Sequence, residues 1–231
     1  MSKQKKNSNY STEKRASAKA EAERKAKTER IVKRSLISAI IVLAVAAVVL
    51  SIILIGRALG MWEKNPTVTE HAAITVSGDE LHVELYGESA PETVAAFVKL
   101  AEGRAYNGIR FDRLTDGMLE TTKIGSVKGV DTIKGEFSDN GVENNVKLKK
   151  GTLVMVLTDG PDSANGEFFI LTEDREDLEG KYAAFGRIDA DSMADFDEIV
   201  AGLAEWDDGT LIPADKRPKI TSVSLHDTHD H

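Results

Sequence analysis

The stretch Gly151–Glu173, GTLVMVLTDGPDSANGEFFILTE, decides how the rest of the chain is read. Gly151 to Leu157 is apolar and rich in β-branched residues, which suits a buried strand. Thr158 to Gly166 is crowded with Asp, Gly, Pro, Ser and Asn, which breaks any regular element. Glu167 to Thr172 then resumes with aromatic and β-branched side chains. The pattern predicts strand, rigid polar loop, strand. Two such strands make either a plain hairpin in a β-rich core or one wall of a binding surface. The flanking sequence has to choose.

Toward the amino terminus, Ala72–Ser77 and Glu80–Tyr86 are two strand-like runs around a Gly78-Asp79 turn signal. Leu81, Val83 and Leu85 alternate with polar residues, so one face of the second run is buried. Ser89-Ala-Pro-Glu opens a helix, with Ser89 as the expected cap and Pro91 in the first turn. Val94, Phe97, Val98 and Leu100 carry its periodicity to Gly103. Phe111–Leu114 and Met118–Ile124 read as short strands, and Ile133–Phe137 follows a loop. Arg113 is either a surface charge or an inward-facing site arginine. Toward the carboxyl terminus, Asp195–Leu203 is a second amphipathic helix and Lys219–Leu225 a closing strand. Many short strands with two helices predict a mainly β fold, a closed antiparallel barrel.

The 231 residues contain no cysteine, which excludes disulfides, thiolate catalysis and cysteine metal sites. The net charge of −8 hides an asymmetry. Residues 1–35 hold 12 Lys and Arg against 4 Glu, and the remainder 18 against 34 acidic residues. Residues 1–34 lack the apolar content for a core and read as a basic, solvated tail. Tyr10 is the one aromatic among its charges, which is not an interleaved nucleic-acid-binding pattern, so no nucleic-acid partner is expected. Leu36–Gly56, LISAIIVLAVAAVVLSIILIG, is uncharged and long enough to cross a hydrocarbon core of about 30 Å. The span 35–57 is read as an uncleaved transmembrane signal anchor, since its apolar run exceeds a signal-peptide core. Lys33 and Arg34 on its amino side place the tail in the cytoplasm and the carboxyl-terminal body outside the cell membrane. Residues 58–70 form a linker, with Trp62 near the outer interface. The domain proper is 71–226, and 227–231 is a solvated His/Asp tail with no metal site expected.

Several motifs share one register. Tyr106-Asn-Gly-Ile-Arg-Phe-Asp-Arg resembles the cyclophilin signature in which a Tyr-Asp/Asn-Gly turn leads to Phe-His-Arg. Gly151-Thr-Leu-Val-Met and Pro161-Asp-Ser-Ala-Asn-Gly-Glu-Phe-Phe-Ile resemble that family's Gly-Thr-Leu-Ser-Met and Gln-Phe-Phe-Ile blocks. Leu178-Glu-Gly-Lys-Tyr-Ala-Ala-Phe-Gly resembles its Leu-Asp-Gly-Lys-…-Phe-Gly block. The resemblance covers residues 70–226 or so. It implies that the closed antiparallel barrel is eight-stranded and capped by two helices, and it implies peptidyl-prolyl cis-trans isomerase activity on proline-containing unfolded or extended polypeptides.

Amide rotation has a barrier of about 18–20 kcal/mol, and uncatalysed X-Pro exchange takes tens to hundreds of seconds. A catalyst has to hold the proline ring in an apolar pocket and stabilise the twisted amide. No metal or cofactor is needed. A guanidinium near the prolyl nitrogen favours loss of amide resonance in the transition state. The resemblance assigns that role to Arg113. It places Phe169, Met118, Leu119 and Leu178 around the proline, with Tyr182 where the family has His or Tyr. Thr121, Val156, Leu157 and Glu167 fall at the remaining substrate-facing positions. The chain departs from the family pattern at Asp112, at Met118–Lys123 (Thr121 stands for the site Gln), at Val156–Thr158, at Glu167 and at Asp177. These departures imply weakened isomerase activity. A proline-peptide binding or scaffold module without turnover is the alternative.

Overall fold

The computed structural model describes residues 24–25, 27, 29, 33, 35–36, 38–55, 65–121 and 132–226. It divides into two units, Met1–Lys64 and Asn65–His231. Most of the basic tail, residues 37 and 56–57 of the anchor, residues 58–64 of the linker with Trp62, residues 122–124 of the Met118–Ile124 run, and the tail 227–231 lie outside the described residues.

In the first unit one helix, α1 (Ser38–Ile55), is long and apolar enough to cross a membrane. Its 18 residues rise about 27 Å. Its large side chains are exposed all round, an arrangement that suits lipid rather than water. Ser51 keeps its hydroxyl satisfied by donating to the carbonyl of Ala47 at 2.8 Å.

The second unit is built on one sheet. Its strands are β1 (Glu70–Val76), β2 (Asp79–Leu85), β3 (Phe111–Thr115), β4 (Met118–Thr121), β5 (Thr152–Leu157), β6 (Ala164–Leu171), β7 (Ala184–Ile188) and β8 (Ile220–His226). All pairings are antiparallel, in the order β3-β4-β6-β5-β7-β2-β1-β8. Alternation sends Ile74, Leu81, Val83, Leu85, Leu153, Met155, Phe168 and Ile170 to the concave side. There α2 (Pro91–Glu102) presents Val94, Phe97 and Leu100, and α3 (Met193–Ala201) presents Phe196. Phe97, Tyr106, Phe111, Phe168 and Phe185 interlock with ring centroids 5.1–6.3 Å apart.

The sheet is a curled, open half-barrel, not the closed barrel expected from the sequence. Near β3, the residues before it meet β8 at the bridge between Arg110 and Lys219. Phe111 N–H donates to Pro218 O at 2.9 Å, but Pro218 has no N–H to continue a ladder. The free edge of β3 is covered by the segment 209–212, where Gly209 N–H donates to Leu114 O and Ile212 N–H to Asp112 O.

Ser89 does not cap α2. Ala90 occupies that position and makes no side-chain cap bond. The cap comes from far along the chain. The Glu136 carboxylate, 3% exposed, accepts the N–H groups of Glu92 at 3.0 Å and Thr93 at 2.8 Å. Ile133–Phe137 accordingly makes no strand and contributes only a bridge from Ile133 to Ala164. The opening stretch does form strand, turn and strand, but β6 already begins at Ala164 inside the polar segment.

Candidate active site

Asp116 and Gly117, at φ 47° and 72°, form the tight turn between β3 and β4. Arg175 donates to the Asp116 carbonyl and pins this turn. The hairpin register puts Arg113 opposite Glu120, and the next pairing puts Glu120 opposite Phe169. Phe169 in turn faces Val154 of β5, which faces Ala184 of β7. Directly opposed residues share a face, with β-carbons about 4.5–5.5 Å apart. Arg113, Glu120, Phe169, Val154 and Ala184 therefore run as one row across five strands, on the side away from the main core.

An apolar cluster grows on this row. Phe169, 4% exposed, packs with Tyr86, Val146, Leu148, Val154, Leu171 and Ala184. Met118, Val156, Leu178 and Tyr182 pack on it and stay half-exposed. The Tyr182 ring stands edge-on to Phe169, with centroids 5.8 Å apart and planes at 83°. The structure thus gathers Met118, Val156, Phe169, Leu178 and Tyr182 beside the row that carries Arg113.

Four expected residues lie differently. Leu119 is fully buried in the main core, and Leu157 packs against that core and pairs with Ala164. Both belong to the inner side because strand alternation reverses them relative to Met118 and Val156. Thr121 is also buried. Its hydroxyl donates to Phe168 O at 2.8 Å and accepts from Phe168 N–H at 3.3 Å, so its one donor is used within the sheet. Glu167 is buried two residues before Phe169, and its N–H donates to Asn165 Oδ1 at 3.2 Å.

The polar part of the site is Arg113 and Glu120. Arg113 is exposed, and its guanidinium makes no hydrogen bond or ion pair with a described residue. Burial pushes the Glu120 carboxyl above the usual carboxylate range, with Arg113 opposing the shift and Asp112 adding to it. Burial, then the Glu84 carboxylate, raises the Tyr86 phenol, which donates to Glu84 at 3.0 Å. The chemistry available is an exposed cation beside a carboxylate at the rim of an apolar surface. A separate open depression of about 310 Å³ between α3 and the β1–β2 turn shares no lining residue with this site.

Sequence reading did not find the cluster floor of Tyr86, Val146, Leu148, Val154 and Ala184. For Val154 the signal was available, because it alternates with Leu153 and Met155. Val146 and Leu148 lie in an irregular segment with no periodicity to mark them.

Comparison with known proteins agrees with this architecture. The family described as "Cyclophilin type peptidyl-prolyl cis-trans isomerase/CLD" matches residues 71–225. A probable peptidyl-prolyl cis-trans isomerase of Brucella suis is 32% identical over 152 residues, covering 62% of this chain and 76% of the relative. A peptidyl-prolyl cis-trans isomerase of Helicobacter pylori is 28% identical over 141 residues, covering 61% of this chain and 86% of the relative. A crystal structure of a Cryptosporidium parvum cyclophilin-type isomerase, in the presence of the dipeptide Ala-Pro, shares the fold with TM-score 0.54 at 19% identity. It is matched over 68% of this chain and 99% of its own. The match spans the sheet, both capping helices and the Arg113–Phe169 row, and the chain belongs to the cyclophilin-type peptidyl-prolyl cis-trans isomerases.

Proposed function

We propose that this chain is a membrane-anchored prolyl isomerase that assists the folding of exported polypeptides outside the cytoplasmic membrane. One observation carries the reading: Arg113 stands exposed, two strands from the buried Phe169 ring, on a shared row beside the apolar cluster. The proline ring sits against Phe169, Met118, Val156, Leu178 and Tyr182. The Arg113 guanidinium donates toward the prolyl nitrogen as its lone pair develops, and so binds the twisted amide better than the planar one. The Ala-Pro dipeptide named with the Cryptosporidium structure supports an X-Pro substrate. The anchor in this reading is α1, and Lys33 and Arg34 on its amino side support a cytoplasmic basic tail with the domain outside.

The same geometry weakens turnover. Glu120 faces Arg113 and competes for its positive charge. Thr121 spends its hydroxyl proton on Phe168 O and so has no donor to offer the substrate. These two observations favour the second reading, a proline-peptide binding module that has lost its chemistry. The full chain in detergent micelles, added to a protein whose refolding waits on a proline, separates the two. Acceleration with X-Pro peptide binding supports the isomerase. Peptide binding without acceleration supports the binding module.

A further inference from the structure

The row that carries Arg113 does not end at Arg113. On the side of β3 away from Glu120, Arg113 pairs with Leu211 in an antiparallel bridge. Directly opposed residues share a face, so the row runs Leu211, Arg113, Glu120, Phe169. Alternation agrees: the next residue, Ile212, is fully buried in the main core, and Leu211 points the opposite way. Among the described residues of the second unit, Leu211 is the one large apolar side chain that stands exposed, at 56%. A lone exposed leucine is ordinary on a protein surface. This one flanks the arginine of the site, and its backbone is held. Gly209 N–H donates to Leu114 O at 3.1 Å and Ile212 N–H to Asp112 O at 2.9 Å. Thr210 N–H donates to Asp208 Oδ1 at 2.9 Å, and the Arg217 guanidinium donates to Ile212 O at 2.6 Å. At Gly209, φ 80°, an added β-carbon would lie 2.9 Å from Thr115 Oγ1, so this backbone is seated directly on β3. Leu211 therefore stands on a fixed ledge, which leaves little ordering for a ligand to impose.

We propose that Leu211 is a second substrate subsite, an apolar ledge that takes a large aliphatic or aromatic side chain of the polypeptide whose proline sits on Phe169. The inference rests on that placement of the proline. Neighbouring strands lie about 4.7–4.9 Å apart, so the three strand steps from Phe169 to Leu211 span about 14–15 Å. An extended chain covers about 3.3–3.6 Å per residue, which puts the recognised side chain about four residues from the proline. Continuity names the occupant: ledge and pocket share one row, with the Arg113 guanidinium between them. An apolar anchor at that distance suits an unfolded polypeptide, whose hydrophobic side chains stay exposed until folding buries them. The ledge touches a residue remote from the rotating bond. It binds the planar and the twisted amide equally, and so acts on KM rather than on kcat.

The test uses the full chain in detergent micelles and a set of Gly/Ser-rich peptides that each contain one Ala-Pro. A single Leu is walked outward from the proline on either side, against a parent peptide without Leu. Peptide affinity and isomerisation kinetics are measured for each. In the wild type, a Leu about four residues from the proline on one side tightens binding by about fivefold, the scale of partly burying one leucine on an open surface. The gain appears in KM, with kcat the same as for the parent peptide. In Leu211→Ser the Leu-bearing and Leu-free peptides bind alike, while Leu211→Met keeps the gain. Thermal melts that match the wild type show that both variants fold. A walk in which no placement tightens binding overturns the ledge, and so does a gain that survives Leu211→Ser. Peptides that bind with the expected pattern but are not isomerised leave the ledge standing and remove the isomerase reading instead. A set that does not bind at all overturns ledge and pocket together.

Discussion

Glu120→Gln removes the negative charge opposite Arg113 while keeping the side chain's size. The two residues are direct cross-strand partners, which puts their charged ends about 6 Å apart. The Coulomb energy at that separation runs from about 0.7 kcal/mol at a dielectric constant of 80 to about 2.8 kcal/mol at 20. Arg113 is solvent-exposed, so screening favours the lower end, about 1 kcal/mol. Released to the transition state, this corresponds to about a fivefold gain in kcat/KM. The assay is isomerisation of an X-Pro peptide by the full chain across a pH series. Burial holds the Glu120 carboxyl above the usual range, so the wild-type rate rises as pH falls through that raised value. The Gln variant is already fast and lacks this limb. Stability carries the same sign. The fold disfavours the ionised form, so the wild type gains stability as pH falls toward the unfolded carboxylate range and loses it as pH rises. The Gln variant is flat there. A Gln variant that is slower than wild type, or one that keeps the acidic limb, refutes the competition between Glu120 and Arg113.

Two substitutions probe the long-range cap. Glu136→Ala removes two hydrogen bonds to a buried carboxylate and lowers unfolding stability by about 3–6 kcal/mol, read from urea midpoints; a loss under about 1 kcal/mol contradicts the cap. Beside it, the Thr93 hydroxyl is buried and makes no hydrogen bond among the described residues. Thr93→Val keeps the shape and stabilises by about 1 kcal/mol in the same titration, and a destabilised variant shows that the hydroxyl is paired.

What the sequence made legible was local. The run Gly151–Glu173 gave its two strands because apolar and turn residues segregate cleanly there. Pro91 and Gly103 bracketed α2 for similar reasons. The departures arise from partners distant in the chain. Ser89 is well placed for a cap, but Glu136, 47 residues on, supplies it instead. Pro218 breaks the ladder that would close the barrel, and nothing near it in sequence shows that β3 is its neighbour. At the site, Arg113 and Phe169 are joined by register alone, through Glu120. Leu119 and Leu157 were placed with the pocket by motif position, while strand alternation turns both inward. Thr121 was a candidate substrate contact until its hydroxyl met the Phe168 backbone.

The central claim is that Arg113 stabilises the twisted prolyl amide rather than merely holding the peptide. Its most direct test compares the wild type with Arg113→Ala in acceleration of a proline-limited refolding step, alongside the affinity for an X-Pro peptide. Arg113→Ala loses about 100-fold in acceleration, the scale of removing one transition-state donor, with peptide binding on the Phe169 cluster largely retained. Acceleration that persists unchanged in Arg113→Ala would contradict it.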